Sequence, residues 1–236
     1  RTVEWRAQRA AAQMIYQDPF SCFDERMTVL DQVAEPLEIH EGLSHREACR
    51  RALEVLRAVG LPEHHAGKLP GVMSGGQLQR AAIARAVALR PALLVCDEPV
   101  ASLDVSIQAQ VLALLNRLKA TTHMSMLFVS HNLNVVRYLC DRAAVMYLGR
   151  IVETGPVDEV FHHPKHPYTR LLLASTPGAA DQVIRFYPKG VMPSPMDRPA
   201  GCVFANRCPV AAERCRRDVP ELEPVADGHA CACFVK

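Results

Sequence analysis

"LLVCDEPVASLD" (Leu93–Asp104) decides how the rest of the chain is read. Four apolar residues in a row, after Pro91 and Ala92, fit a short strand buried on both faces of a parallel sheet. Such a strand delivers Asp97 and Glu98 to the carboxyl edge of the sheet, which is where open α/β folds bind their ligands. Two adjacent carboxylates there can divide the work. One holds a divalent cation, usually through water, and the next orients an attacking water. A strand that merely ends in solvated acids would look the same over these residues alone, so the flanking sequence has to discriminate.

Helix and strand patterns alternate on both sides. Upstream, "SHREACRRALEVLRAVGLP" (44–62) reads as a helix with a Ser44/Glu47 capping box. Cys49, Leu53 and Leu56 recur at helical spacing, and Gly60 and Pro62 stop it. "SGGQLQRAAIARAVALRP" (74–91) opens a second helix straight after two glycines. Downstream come helix "SIQAQVLALLNRLKA", strand "SMLFVS", helix "NLNVVRYLC" and strand "RAAVMYL", with "GRIVETG" as its hairpin partner turning at Gly149. This order predicts an α/β fold with a mainly parallel sheet. From Thr176 the texture changes, with Pro177, Pro188, Pro193, Pro195 and Pro199 leading into a cysteine-rich C-terminal extension. The net charge of +2 gives no broad attraction for nucleic acid or a membrane surface, and no apolar run reaches the roughly 20 residues that span a bilayer. No secretory h-region is present, and thiols scattered as Cys22, Cys49, Cys96 and Cys140 suit a reducing compartment.

Five further places carry candidate chemistry. Ser74, Gly75, Gly76 and Gln77 at a helix start offer a hydroxyl, open backbone N–H groups and the positive end of the helix dipole, which suits a phosphate. A plain N-cap serine with a glycine turn is the alternative. His131 ends the next strand, where a lone histidine is more often structural than catalytic. Gln17, in "YQDPF", could reach a metal or a water, or be a loop residue before an Asp–Pro turn. In "HPKHPYTRLLLAS", Pro167 at a helix start favours simple packing over a metal site built with His162 and His163. The tail itself, C-x5-C-x6-C-x17-C over Cys202, Cys208, Cys215 and Cys233, lacks the C-x2-C knuckle of most zinc folds. Its thiolates could hold a [4Fe–4S] cluster, zinc or nothing.

The order of these signals, from about Gln13 to Phe161, resembles the ATP-binding cassette ATPases. "MIYQDPFSCFDERMTV", "EPVASLDVSIQAQV", "CDRAAVMYLGRIVETG" and "HPKHPYTRLLLAS" are similar to the subunits that drive oligopeptide, dipeptide and nickel importers. The resemblance implies a partial P-loop ATPase core. Residues 1–26 would be the glutamine-loop end, 27–73 a helical subdomain, 74–161 the signature helix and catalytic core, and 162–236 the extension. It implies that Gln17 senses Mg²⁺ and the γ-phosphate, Asp97 supports Mg²⁺, and Glu98 is the general base. His131 would contact the γ-phosphate. Ser74, Gly75, Gly76 and Gln77 would clamp ATP bound to a second subunit, and Asp104 would lie in the loop between the two sites. Implied partners are that second ATPase subunit, two transmembrane permease subunits and an extracytoplasmic substrate-binding protein, at the cytoplasmic face of the cell membrane, with no nucleic acid. The subfamily's cysteine ending, aligned with "HACAC", implies a [4Fe–4S] cluster on Cys202, Cys208, Cys215 and Cys233, with Cys231 as the alternate ligand.

The sequence departs from the family pattern at Leu78, at Asn132 and in "VASLD", none of which removes a catalytic side chain. These residues contain no G-x-x-x-x-G-K-[ST] loop, which the family places before the glutamine loop. With the start at Arg1, the expectation is a piece of a longer ATPase that by itself binds ATP poorly. The competing readings are an inactive or regulatory cassette subunit and a non-transport cassette ATPase. The latter would carry coiled-coil insertions or basic surfaces, and the sequence has neither.

Overall fold

A computed structural model describes residues 3–175, 194, 196 and 198–235. Pro177, Pro188, Pro193 and Pro195 of the irregular stretch lie outside the described residues. The chain divides into two compact units, Arg1–His131 and Asn132–Lys236.

In the first unit, α1 (Val3–Ala11) leads into β1 (Ala12–Ile15). Helices α2 (Val29–Glu41), α3 (His45–Ala58), α4 (Glu63–Ala66) and α5 (Gly75–Val87) follow, then β2 (Leu93–Asp97), α6 (Val105–Thr122) and β3 (Ser125–Val129). The sheet runs β1-β2-β3 with both pairings parallel, and Ile15, Cys96 and Phe128 lie side by side. The strands therefore end together at one edge. The sequence predicts β2 buried on both faces, but its burial alternates. Leu94 and Cys96 are fully buried, as is Ile15, whereas Leu93 and Val95 are half-buried. On that second face Leu127 and Val129 of β3 are 56% and 46% exposed, so no described element covers it fully.

Two local expectations also change. Ser44 Oγ accepts the Glu47 N–H at 3.4 Å, but the Glu47 carboxylate turns to Arg50, so only half of the capping box forms. The buried stripe of α3 is Ala48, Ala52 and Leu56, facing α2 and α5; Leu56 is buried as expected, whereas Cys49 and Leu53 sit half-buried beside two small alanines. The complete box is at α5, where Gln77 N–H donates to Ser74 Oγ and Ser74 N–H donates to Gln77 Oε1. Buried Gln32 holds the turn into α2, accepting from Asp24 N–H at 2.8 Å and donating to the Asp24 and Met27 carbonyls.

The second unit contains α7 (Leu133–Leu139), β4 (Arg142–Tyr147), β5 (Arg150–Pro156), α8 (Val157–His162), α9 (Pro167–Ala174), α10 (Glu213–Arg217), β6 (Glu223–Ala226) and β7 (His229–Cys231). Its sheet, β4-β5-β7-β6, is antiparallel throughout, and the predicted hairpin turns at Leu148 and Gly149, both with positive φ. Tyr147, Tyr168 and Phe204 pack together as an aromatic core, with ring centroids 4.5–5.4 Å apart. Beneath it, fully buried Glu153 accepts three hydrogen bonds. Two come from the N–H groups of Lys165 and His166, at 2.7 and 2.9 Å, and one from His229 Nε2 at 2.8 Å. As the residue types suggested, Pro167 starts α9, and His166 is its N-cap, accepting the Tyr168 N–H at 3.0 Å.

His166 is 1% exposed, and burial pushes its imidazole down to about 4 from the ordinary 6.5. The unfolded chain accepts a proton that the folded unit resists. The stability tied to His166 is thus complete above the unfolded value and is lost as pH falls towards the folded one. Denaturant titrations should show about 3 kcal/mol of such loss between about pH 7 and pH 4. His166→Asn, which keeps a capping side chain, should flatten that slope; an unchanged slope would refute the assignment.

Candidate functional site

Each strand of the parallel sheet contributes one polar group just beyond its carboxyl end: Gln17 after β1, Asp97 and Glu98 at the end of β2, and His131 after β3. Glu98 has φ +44, a left-handed backbone that costs on the order of 1 kcal/mol for a residue other than glycine. The N–H of Glu98 donates to the Val129 carbonyl at 3.0 Å, and its carbonyl accepts from Ala101 N–H at 3.1 Å. This pinned turn presents the Glu98 carboxylate to both neighbours. Gln17 Nε2 donates to Oε2 at 3.2 Å, and His131 Nδ1 lies 3.0 Å from Oε1. Two residues, 81 and 33 positions away from Glu98, thus share its carboxylate. Asp97 is half-exposed at the same edge.

The start of α5 is held separately. Besides capping Ser74, Gln77 extends Nε2 to His65 Nε2 at 3.1 Å. Burial pushes the His65 imidazole down, which favours the neutral ring that can accept this hydrogen bond. The two glycines differ in their reasons. A Cβ on Gly76 would fall 2.6 Å from Ile107 Cγ2 on α6, so close helix packing alone requires glycine there. A Cβ on Gly75 would meet only ordinary contacts, Leu103 at 3.7 Å and Phe20 at 4.0 Å, so packing leaves Gly75 unexplained. Asp104 begins α6 but makes no side-chain capping bond; Gln108 instead donates to the Leu103 carbonyl at 2.9 Å. Phe20, Leu103 and His65 escaped the sequence reading, since their contacts join segments that no spacing rule relates. Arg85 escaped it as well; it donates to the Cys22 carbonyl at 2.7 Å and lies over Phe23, holding the turn after Gln17.

In the second unit, Cys202, Cys208, Cys215 and Cys233 line one small cavity with His166, Phe204, Ala205, Val210 and Phe234, and Cys231 does not line it. Close backbone approach makes this possible. Cys202 N–H donates to the Cys215 carbonyl at 2.8 Å, and a Cβ on Gly201 would fall 2.7 Å from the Arg216 carbonyl carbon. Burial pushes the Cys208 thiol up to about 11 and raises Cys202. Backbone N–H groups work against that cost. Those of Phe204 and Ala205 aim at Cys202, that of Val210 at Cys208, and that of Val235 at Cys233. Amides directed at sulfur favour thiolates, the form that binds a metal.

Comparison with known proteins gives the family. Residues 1–101 match the family model for the ABC transporter, and residues 152–215 match that for the oligopeptide/dipeptide transporter, C-terminal region. The chain is 47% identical over 238 residues to the probable peptide ABC transporter ATP-binding protein y4tS of Sinorhizobium fredii, covering 100% of this chain and 67% of that relative. It is 45% identical over 237 residues to the oligopeptide transport ATP-binding protein OppF of Escherichia coli, covering 98% and 70%. The chain belongs to the ABC transporter ATPases of the oligopeptide and dipeptide importer family. Among solved structures, cbiO1 of Clostridium perfringens, part of the ABC transporter complex cbiONQ, is similar with a TM-score of 0.59 and 28% identity, over 66% of this chain and 61% of that one. A dimeric post-hydrolysis state of the ATP-binding cassette MJ0796 with ADP and Pi matches with a TM-score of 0.55 and 29% identity, over 62% and 64%. This ABC ATPase chain thus spans about two thirds of its curated relatives and rather less than two thirds of these solved chains. Among the described residues no helix is long and apolar enough to cross a membrane.

The Gly76–Ile107 contact can be tested directly. Alanine is the better helix former by about 1 kcal/mol, yet Gly76→Ala should destabilise the unit by about 1–3 kcal/mol through overpacking. In a double-mutant cycle with Ile107→Ala, which removes the methyl it meets, most of that loss should disappear. Additive losses would show that the contact is not the cause.

Proposed function

We propose that Glu98 is the general base for ATP hydrolysis in this ABC ATPase and that Gln17 and His131 control its availability. One observation carries the reading: both carboxylate oxygens of Glu98 are engaged by side chains from the two neighbouring strand ends. Gln17 and His131 are donors, and a γ-phosphate oxygen is a stronger acceptor than a carboxylate already shared between them. When they turn to the nucleotide, Glu98 is released to orient the attacking water and take its proton. Asp97, half-exposed at the same edge, would hold Mg²⁺, which supplies charge neutralisation for phosphoryl transfer. Ser74, Gly75, Gly76 and Gln77 would meet the γ-phosphate of ATP on a second subunit. A side chain at Gly75 costs nothing in packing, so its absence is best explained by a ligand that approaches the backbone. Asp104, with no cap bond to make, would lie between the two sites.

By the same reading the substrates are peptides, as in the relatives' names. The partners are a second ATPase subunit, two transmembrane permease subunits and an extracytoplasmic binding protein, and the chain is peripheral to the cytoplasmic face of the membrane. Residues 27–73 serve as the helical subdomain of the first unit, with 1–26 and 74–131 bearing the catalytic groups, while 132–161 share one sheet with the extension 162–236 through the β5–β7 pairing. ATPase assays on the protein expressed from its native reading frame test the base. Glu98→Gln should lower kcat about 10²–10⁴-fold while nucleotide binding persists; unchanged turnover would sink the assignment.

The four clustered thiols support a [4Fe–4S] cluster over zinc. Four sulfurs about 2.3 Å from a tetrahedral zinc lie about 3.8 Å apart, but among the described residues no three of these sulfurs come within 4.8 Å of one another. Cys202, Cys208, Cys215 and Cys233 would hold the cluster, whose bonds to sulfur would lock the extension. Anaerobically purified protein should absorb near about 400 nm and contain about four irons. Cys215→Ser should lose both signals and Cys231→Ser neither. A colourless, zinc-loaded protein would overturn the cluster.

A further inference from the structure

Away from the sheet edge and the cysteine extension, α2 and α3 bring together an imidazole, a thiol and two carboxylates. We propose that Asp31, His45 and Cys49 form a three-ligand site for a divalent transition-metal ion, Zn²⁺, across the α2–α3 pair, with Glu38 orienting the histidine. The ligand atoms of Asp31, His45 and Cys49 all lie within 4.8 Å of one another. His45 Nε2 is 3.5 Å from Cys49 Sγ and 3.9 Å from an Asp31 carboxylate oxygen. Zinc bonds of about 2.0–2.1 Å to nitrogen and 2.3 Å to sulfur, at the tetrahedral angle, put N and S about 3.6 Å apart. The His–Cys pair already has that separation. Asp31, half-buried and held at its other oxygen by Thr28, needs to close by about half an ångström, which a small side-chain torsion supplies.

Orientation supports the site more than proximity does. His45 Nδ1 lies 2.8 Å from Glu38 Oε1, which directs Nε2 to Cys49 and Asp31; because the Glu38 hydrogen bond also raises the His45 pKa, a metal ion would displace a proton from Nε2 to bind there. A carboxylate behind a liganding imidazole fixes its tautomer and raises its basicity. Asp31 Oδ2 accepts from Thr28 Oγ1 at 2.6 Å, leaving Oδ1 as the oxygen turned to His45. The Thr28–Asp31 pair is in turn built into the N-cap of α2.

The chemistry selects the ion. Thiolate and imidazole favour zinc over magnesium or calcium, which take oxygen ligands. The three ligands leave a fourth position, and His45 is 67% exposed, so that position faces water. Without a cation the arrangement works against the thiolate. Burial and the Asp31 and Glu38 charges raise the Cys49 thiol, and a bound dication reverses that balance. Spacing favours a clasp between helices. His45 and Cys49 are one turn apart on α3, and Asp31 and Glu38 are two turns apart on α2, so an ion here joins the two helices rather than decorating one.

The test is Zn²⁺ affinity measured on the full chain by competition with a chromophoric chelator. It is run in a Cys208→Ser/Cys215→Ser background as well as in the unaltered chain, so that thiols of the extension are counted separately. Cys49→Ser and His45→Asn should each weaken one equivalent of zinc by at least tenfold in both backgrounds, and Glu38→Gln by about tenfold. Co²⁺ in place of Zn²⁺ should give a thiolate-to-metal charge-transfer band in the doubly substituted background that Cys49→Ser abolishes. Zn²⁺ should raise the melting temperature of the parent but not of Cys49→Ser, with the metal-free melting temperatures matched as the check on folding. Equal zinc affinity in the parent, Cys49→Ser and His45→Asn would overturn the proposal, as would a cobalt spectrum indifferent to Cys49.

Discussion

Parallel pairing in a single register is the constraint on which the candidate site depends. Because Ile15, Cys96 and Phe128 stand abreast, the residues that follow each strand emerge at the same height. A parallel neighbour cannot be reached by a tight turn, so each crossover must travel back through helices. Those helices are the ones that carry Gln32, His65, Gln77 and Arg85. The polar groups at the edge are thus set by the strands, and the helices between the strands brace the loops that bear them. Arg85 grips the turn beyond Gln17, and Gln32 fixes the path from that turn into α2.

Glu98 shows how local strain and tertiary order combine. Its left-handed backbone is unfavourable in isolation, and it persists because the bond to the Val129 carbonyl ties the turn to the neighbouring strand. The adjacent glycines show a different economy. Gly76 is small because Ile107 is close, whereas Gly75 has no such neighbour. One glycine belongs to the packing and the other to the surface.

Much of this was legible in the residues. The apolar run ending in Asp97 and Glu98 marked a strand end, and the alternation of helix and strand patterns marked an α/β fold, because both signals are local in sequence. Pro167 marked its helix for the same reason. What was not legible depended on distance. Burial of β2 on both faces was inferred from four apolar letters, but cover is supplied by elements far away in the chain. The Ser44/Glu47 box was inferred from spacing, but Arg50 competes for the same carboxylate one turn on. The stripe through Cys49, Leu53 and Leu56 was inferred from hydrophobicity; Leu56 is buried as inferred, but Ala48 and Ala52 take the other buried places because small side chains let helices approach closely. The Gln17–Glu98–His131 convergence was suggested by family resemblance, and no periodicity could have produced it.

Glu153 carries a consequence for the end of the chain. The last residues of a protein ordinarily fray first, opening without disturbing the remainder. Here the path to Cys233 passes through His229, whose Nε2 bonds a carboxylate that is fully shielded from water and also bears the N–H groups before α9. Peeling β7 away would strand an anion in an apolar interior, and removing one partner of such a pair costs about 3–5 kcal/mol. β7 therefore opens with its unit or not at all. Hydrogen exchange near the C-terminus should then be as slow as that of the central strands beside it, so that a tail by position behaves as a keystone by energetics.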